Sequence, residues 1–134
     1  MEDKILKYSL LSGSIYFLLI FLAHALGQKI PGLFIYFSVP SFDYQDKIIS
    51  ALSFGWAVFF FVFFVTLSKT IIKSILLSGV FVLIMLSFVN FNTDFKSLSD
   101  QINNNVFHLE VGVLFIYWLW LLIWYNKAKN KLTL

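Results

Sequence analysis

The chain contains no cysteine and no arginine, and only 13% of its 134 residues are charged. The absence of cysteine excludes disulfides, thiolate metal sites and cysteine nucleophiles. All ten basic residues are lysines at scattered positions, whereas a nucleic-acid-binding surface needs clustered positive charge. A soluble protein normally has about a quarter of its residues charged. The composition therefore argues against nucleic-acid binding and excludes a water-soluble protein.

What the chain has instead is apolar sequence, because 60% of its residues are hydrophobic and most of them fall in four long stretches. Each stretch is about 20 residues long, the length that an α-helix needs to cross a hydrocarbon core about 30 Å thick. We therefore predict one all-α domain over residues 1–134, an integral membrane four-helix bundle. Its transmembrane helices are expected at approximately 5–26, 48–68, 71–91 and 106–125.

The lysines predict the orientation of this bundle. Seven of the ten lie before the first stretch, between the second and third, or after the fourth: Lys4, Lys7, Lys69, Lys73, Lys127, Lys129 and Lys131. The opposite side carries the remaining three lysines with most of the acidic residues, namely Asp43, Asp46, Asp94, Asp100 and Glu110. By the positive-inside rule we expect both termini in the cytoplasm. The expected location is the inner (plasma) membrane of a bacterium, with the lipid bilayer as partner.

The N-terminus has a second interpretation. A basic start and an apolar run precede Ala23-His24-Ala25, which has the A-x-A shape of a signal-peptidase site. Short matches of this kind are common by chance, and the apolar run is long enough to span a membrane. We therefore favour a retained first transmembrane helix.

The two predicted outer loops differ in character. Residues 90–105 are polar and end in three consecutive asparagines, which are expected to cap the fourth helix. Residues 27–46 contain both prolines of the chain and a short apolar run at 33–37. This loop is either an interfacial segment in which Asp43 and Asp46 form a capping box, or a lid over a polar pocket. The predicted fold has this long first loop packed on the bundle.

Small residues indicate how the helices pack, because lipid-embedded helices approach one another where side chains are small. At helical spacing, three faces are predicted to point inward. They are Ser9, Gly13, Phe17, Ile20 and His24 on the first helix, Asp46, Ser50, Ser53 and Ala57 on the second, and Ser74 and Ser78 on the third.

Five ionisable residues are predicted at the outer ends of the helices and form the candidate ligand pocket: His24, Asp46, Asp94, His108 and Glu110. Glu110 lies about one turn inside the fourth helix, where a carboxyl group must face the bundle interior, find a partner or protonate. We predict His24 as its partner. The alternative is that Glu110 reaches water near the headgroups and that His24 bonds to a backbone carbonyl.

These features favour a small membrane protein that binds a lipid or small ligand in a polar pocket in its outer half, or that serves as an accessory subunit of a larger membrane complex or homo-oligomer. The alternative is a membrane-embedded enzyme that uses His24 and Glu110 in acid–base chemistry. A third possibility is a metal protein, with zinc or iron on His24, His108 and Glu110, or with haem between the two histidines. No local metal-binding motif occurs in the sequence.

Overall fold

The computed structural model describes residues 2–98 and 102–132, and most of these residues are helical. The four long helices are α1 (Glu2–Ala25), α2 (Asp43–Thr66), α3 (Lys69–Asn92) and α4 (Asn104–Ala128), with a short 3₁₀ helix at Phe95–Ser97. Each of the four is long and apolar enough to cross a membrane. The predicted all-helical class and the four apolar helices are therefore confirmed. Asp100 lies outside the described residues.

The start of α2 differs from the predicted capping box. The residue before the helix is Phe42, whose backbone N–H donates to Gln45 Oε1 at 3.1 Å. Asp43 is already helical, so it does not cap. Asp46 is buried and accepts a hydrogen bond from Ser41 Oγ at 3.0 Å. The prediction of a cap formed by Asp43 and Asp46 is therefore wrong, because Asp46 points into the protein.

The other connections between helices agree better with the predictions from the sequence. Asn103 precedes α4, and its side-chain oxygen accepts from the backbone N–H of Asn105 at 3.1 Å, which confirms the predicted asparagine cap. Between α2 and α3 only Leu67 and Ser68 are non-helical, with Leu67 in the left-handed conformation at φ 48°. This short connection makes α2 and α3 antiparallel.

The helices are packed unevenly. α1 packs most closely against α2, and α4 contacts both α1 and α3, whereas α2 and α3 share few contacts despite their short connection. The four helices run up and down, so Glu2 and Lys131 meet at one end, with Nζ and Oε2 3.0 Å apart. We call this the termini end. The opposite end, with loop 26–42 and the segments 93–98 and 102–103, is the loop end.

The termini end contains the main apolar core. It is formed by buried side chains of all four helices and of the segment after α4: Leu6, Leu10, Phe60, Phe63, Ile72, Ile75, Leu76, Leu121, Tyr125, Ala128 and Leu132. Hydrogen bonds cross between helices beside this core. Tyr117 Oη donates to the Ser9 carbonyl at 2.6 Å, and Trp120 Nε1 donates to Ser9 Oγ at 2.8 Å. Trp118 Nε1 likewise donates to the Leu76 carbonyl at 2.8 Å.

The predicted small-residue faces are confirmed on two helices and wrong on the third. Ser9 and Gly13 of α1 are buried, and so are all four predicted residues of α2. Ser14 adds an interhelical hydrogen bond to the Ala57 carbonyl at 2.8 Å. On α3, Ser74 is exposed, because this helix turns larger apolar side chains inward.

A second, smaller apolar cluster occupies the loop end. Its buried members are Phe95, Ile102 and Phe107, and Tyr36 of the first loop packs against them. The ring centroid of Tyr36 lies 5.3 Å from that of Phe95 and 4.8 Å from that of Phe107. The two clusters are separate, and the space between them forms the candidate site.

Candidate functional site

A cavity of about 320 Å³ lies between the helices. All four helices and the first loop contribute to its wall, which is mostly aliphatic and aromatic. Phe60, Ile75 and Leu121 of the main core line one end, and Phe107 of the loop-end cluster lines the other. This volume is at the lower end of the range for ligand pockets, about 300–1,000 Å³. We call it the central cavity.

Glu110 is the acidic residue in the wall of the central cavity. Its Oε1 atom is buried and makes no hydrogen bond to any residue that the structure describes. The backbone N–H of Gly32 in the first loop approaches the carboxyl group of Glu110, and the Gly32 carbonyl accepts from Tyr16 Oη at 2.9 Å. Tyr16 and Gly32 also line the cavity, so the polar part of the wall joins α1, α4 and the loop.

Asn90 of α3 supplies a second unpaired polar atom to the same wall. Its side-chain oxygen accepts from Tyr36 Oη at 2.8 Å, while its Nδ2 is buried without a partner among the described residues. Burial, and secondarily the charge of Glu110, raises the pKa of Tyr36, so this hydroxyl stays protonated and donates. A buried polar group left without a partner costs about 1–3 kcal/mol. Asn90 and Glu110 are therefore groups that a ligand can satisfy.

His24 is fully buried and faces the first loop. Its Nε2 accepts from the backbone N–H of Ile35 at 3.0 Å, and its ring stacks on Phe34 with centroids 3.9 Å apart. Nδ1 lies 3.5 Å from Asp46 Oδ1, which is an ion-pair contact at the outer limit of hydrogen-bonding distance. Because Nε2 accepts, the neutral ring carries its proton on Nδ1, toward Asp46. The structure thus pairs His24 with Asp46 instead of the predicted Glu110.

The remaining predicted residues lie apart from the central cavity. Asp94 is exposed, and its carbonyl accepts from Ser97 Oγ at 2.7 Å at the start of the 3₁₀ helix. His108 packs on Phe91 with ring centroids 4.9 Å apart and lines a second, more open cavity of about 300 Å³ between α3 and α4. Asn90 lies in the wall of both cavities. His108 and Glu110 thus face different cavities, as their spacing on one helix requires.

The metal and acid–base arrangements expected from the sequence are not assembled. Within residues 2–98 and 102–132, no three or more histidine or carboxylate side chains are grouped so that they could hold a metal ion. His24 faces Ile35 and Asp46, while His108 and Glu110 line separate cavities. His24 therefore has its Nε2 occupied by the loop backbone and its Nδ1 turned toward Asp46, not toward Glu110.

Sequence reasoning missed several polar groups of the cavity. Tyr16, Gly32, Tyr36 and Asn90 all line it, and none was among the predicted site residues. Asn90 carried a usable signal, because an amide near the end of an apolar stretch needs a hydrogen-bond partner inside the bundle. No such signal in the sequence pointed to Tyr36, because its position depends on the path of the loop.

The exposed part of the cavity wall includes residues of α2 and α3. Leu52 of α2 and Val82 of α3 both line the cavity and are nevertheless 63% and 36% exposed. These two helices share few contacts above their short connection, which leaves a gap between them.

The chain matches no protein-family model, no curated protein and no solved structure. Its function therefore has to be inferred from the cavity and from the chemistry of the side chains in its wall.

Proposed function

We propose that this chain is a multi-pass protein of the bacterial inner (plasma) membrane with both termini in the cytoplasm. Seven of its ten lysines lie on the side of the termini, which supports this orientation. Large apolar side chains such as Leu77, Phe81 and Phe91 are 65–79% exposed. A continuous surface of this kind would aggregate in water, whereas lipid tolerates it.

Within the membrane, the proposed function is binding of an amphipathic ligand in the central cavity. The observation that carries this proposal is the pair of buried atoms without partners, Glu110 Oε1 and Asn90 Nδ2, in the wall of an otherwise apolar cavity. Leaving both unpaired is unfavourable, and an apolar chain with a polar head would satisfy them while filling the cavity. The gap between α2 and α3 gives such a molecule access from the bilayer.

The first loop acts as a lid in this proposal. Phe34 is buried against His24, and Tyr36 reaches across the bundle to Asn90 of α3. The loop thus touches α1 and α3 from above the cavity and separates Glu110 from bulk water. His24 and Asp46 have a positioning role, because the Ile35 N–H is held by His24 and the ring is oriented by Asp46.

A matched pair of substitutions on α4 tests the proposal. Leu114 lines the central cavity, whereas Leu109 is 66% exposed on the same helix. Leu114→Trp should fill the cavity, and Leu109→Trp should only change the outer surface. Each variant is purified in mild detergent, and copurifying small molecules are identified by mass spectrometry after organic extraction.

We expect a stoichiometric amphiphile with the wild type and with Leu109→Trp, and its loss from Leu114→Trp. Equal retention by both variants would show that the cavity is not the binding site. Stoichiometric protein subunits with no small molecule would instead favour an accessory role in a membrane complex.

A further inference from the structure

We propose that the cavity ligand is a single-chain amphiphile with an uncharged hydroxyl or amide head, seated between Glu110 and Asn90. This inference rests on the proposed function and names the chemical class of its ligand. Three features of the cavity carry it: the hydrogen-bonding needs of its two unpaired atoms, the absence of positive charge from its described wall, and its shape.

The two unpaired atoms need complementary partners. Glu110 Oε1 accepts, whereas Asn90 Nδ2 donates. Both residues lie in the wall of the same cavity, where the Tyr36 hydroxyl also bonds to Asn90. A hydroxyl or amide group both donates and accepts, so one such head has the hydrogen-bonding groups that the two atoms need. An ammonium head would pair with Glu110, but because it only donates it would leave Asn90 Nδ2 unpaired.

Charge in the wall excludes anionic heads. Among the residues that the structure describes, no lysine lines the central cavity, and the chain has no arginine. A phosphate or carboxylate head would lose its hydration without a lysine in the described wall to pair with it, and it would face the carboxyl group of Glu110. The anionic phospholipids of a surrounding bilayer are therefore poor ligands.

The shape of the cavity indicates one chain. Along α4 its wall runs from Phe107 to Leu121, a rise of about 21 Å at 1.5 Å per residue. A volume of about 320 Å³ along that length makes the cavity long and narrow, which favours a single extended hydrocarbon chain. The polar atoms lie at one end of this length, as a head with one tail requires.

The experiment compares ligands that differ only in the head. The purified full-length protein in detergent is titrated with hexadecanol, palmitamide, hexadecylamine, palmitate and lysophosphatidic acid, and binding is followed by native mass spectrometry. We expect hexadecanol and palmitamide to bind at least tenfold more tightly than the three charged probes. Asn90→Leu and Glu110→Leu should each weaken hexadecanol binding about tenfold, whereas Asp94→Asn, at an exposed carboxylate of the same end, should leave it unchanged.

The possible outcomes separate this inference from the proposed function. If a charged probe binds as tightly as hexadecanol, and Leu114→Trp abolishes its binding, the head chemistry is wrong while the cavity remains the site. If no probe binds, or if binding is the same in Leu114→Trp and Leu109→Trp, the proposed function itself fails. If Asn90→Leu or Glu110→Leu does not fold, the order in which the five probes bind to the wild type is sufficient to test the head chemistry.

Discussion

The termini end and the loop end of this bundle are built differently. At the termini end, apolar side chains of four helices fill the interior, and the Tyr117 and Trp118 side chains donate hydrogen bonds from α4 to neighbouring helices. At the loop end, a loop replaces part of the helix packing, and Glu110 and Asn90 keep unpaired polar atoms beside a cavity. The difference indicates that one half stabilises the fold while the other is available to bind.

The largest effect is expected where α1 approaches its neighbours most closely. A Cβ atom on Gly13 would lie 2.5 Å from Phe60 Cδ1 and 2.5 Å from Tyr117 Oη, so Gly13→Ala must displace both side chains. We expect a loss of about 1–3 kcal/mol in the free energy of unfolding, as for other overpacked sites. Thermal unfolding in detergent measures it.

Gly112→Ala is the matched control for this substitution. A Cβ atom there meets nothing within 4 Å, and alanine favours helix over glycine by about 1 kcal/mol. Stability should therefore be unchanged or slightly higher. Equal destabilisation by both alanines would mean that close packing at Gly13 does not hold the termini end together.

At the loop end, His24→Leu should loosen the lid. The substitution leaves the Ile35 N–H and the Asp46 carboxylate without their contacts, which is expected to cost about 1–3 kcal/mol, felt mainly in the loop. Hydrogen exchange of residues 33–37 should accelerate. His108→Leu, at the second cavity, should leave the exchange of these amides unchanged. Equally fast exchange in that control would show that the loop is not held specifically by His24.

A pair of tyrosine substitutions compares the two ends directly. Tyr117→Phe removes the hydrogen bond to Ser9, and Tyr36→Phe removes the one to Asn90. We expect Tyr117→Phe to lower the free energy of unfolding by about 0.5–1.5 kcal/mol with the ligand retained. Tyr36→Phe should instead reduce ligand retention more than stability. The reverse pattern would contradict the division between a stabilising and a binding half.

The smallest effect is expected at the ion pair of the termini. Lys131 and Glu2 are exposed, and pairs of this kind contribute little. The hydrogen bond to Glu2, with its charge, raises the pKa of Lys131, so any stabilisation is present at neutral pH and lost as the pH rises through that raised pKa. Lys131→Gln should leave the unfolding temperature unchanged at neutral pH. A clear decrease would mean that the termini end depends on its exposed charges.

Several features could be predicted from the sequence because they depend on local pattern. Helix α4 begins after an asparagine that caps it, as the run of asparagines indicates. The small-residue faces of α1 and α2 are buried because helical spacing alone brings their members to one side. The predicted inward face of α3 was wrong, since Ser74 is exposed and Ser78 is only half-buried.

The site could be predicted only in part. Glu110 was expected to face the interior because of its depth, and it lies in the cavity wall. Its expected partner was not found, because His24 accepts from the loop backbone through Nε2 and turns Nδ1 toward Asp46. Which side chains pair between two helices depends on the relative rotation and height of the helices. The spacing of residues along one helix does not contain that information.

By itself, the sequence determined that the chain forms four apolar helices and which of their polar side chains have reason to avoid lipid. These properties follow from hydropathy and helical periodicity, which act over a few neighbouring residues. Only the tertiary structure decided that α2 and α3 diverge, that a cavity remains between two apolar clusters, and that Asn90 joins Glu110 in its wall. Those outcomes depend on side-chain packing between segments far apart in the chain, such as Gly13 against Phe60 and Tyr36 against Asn90.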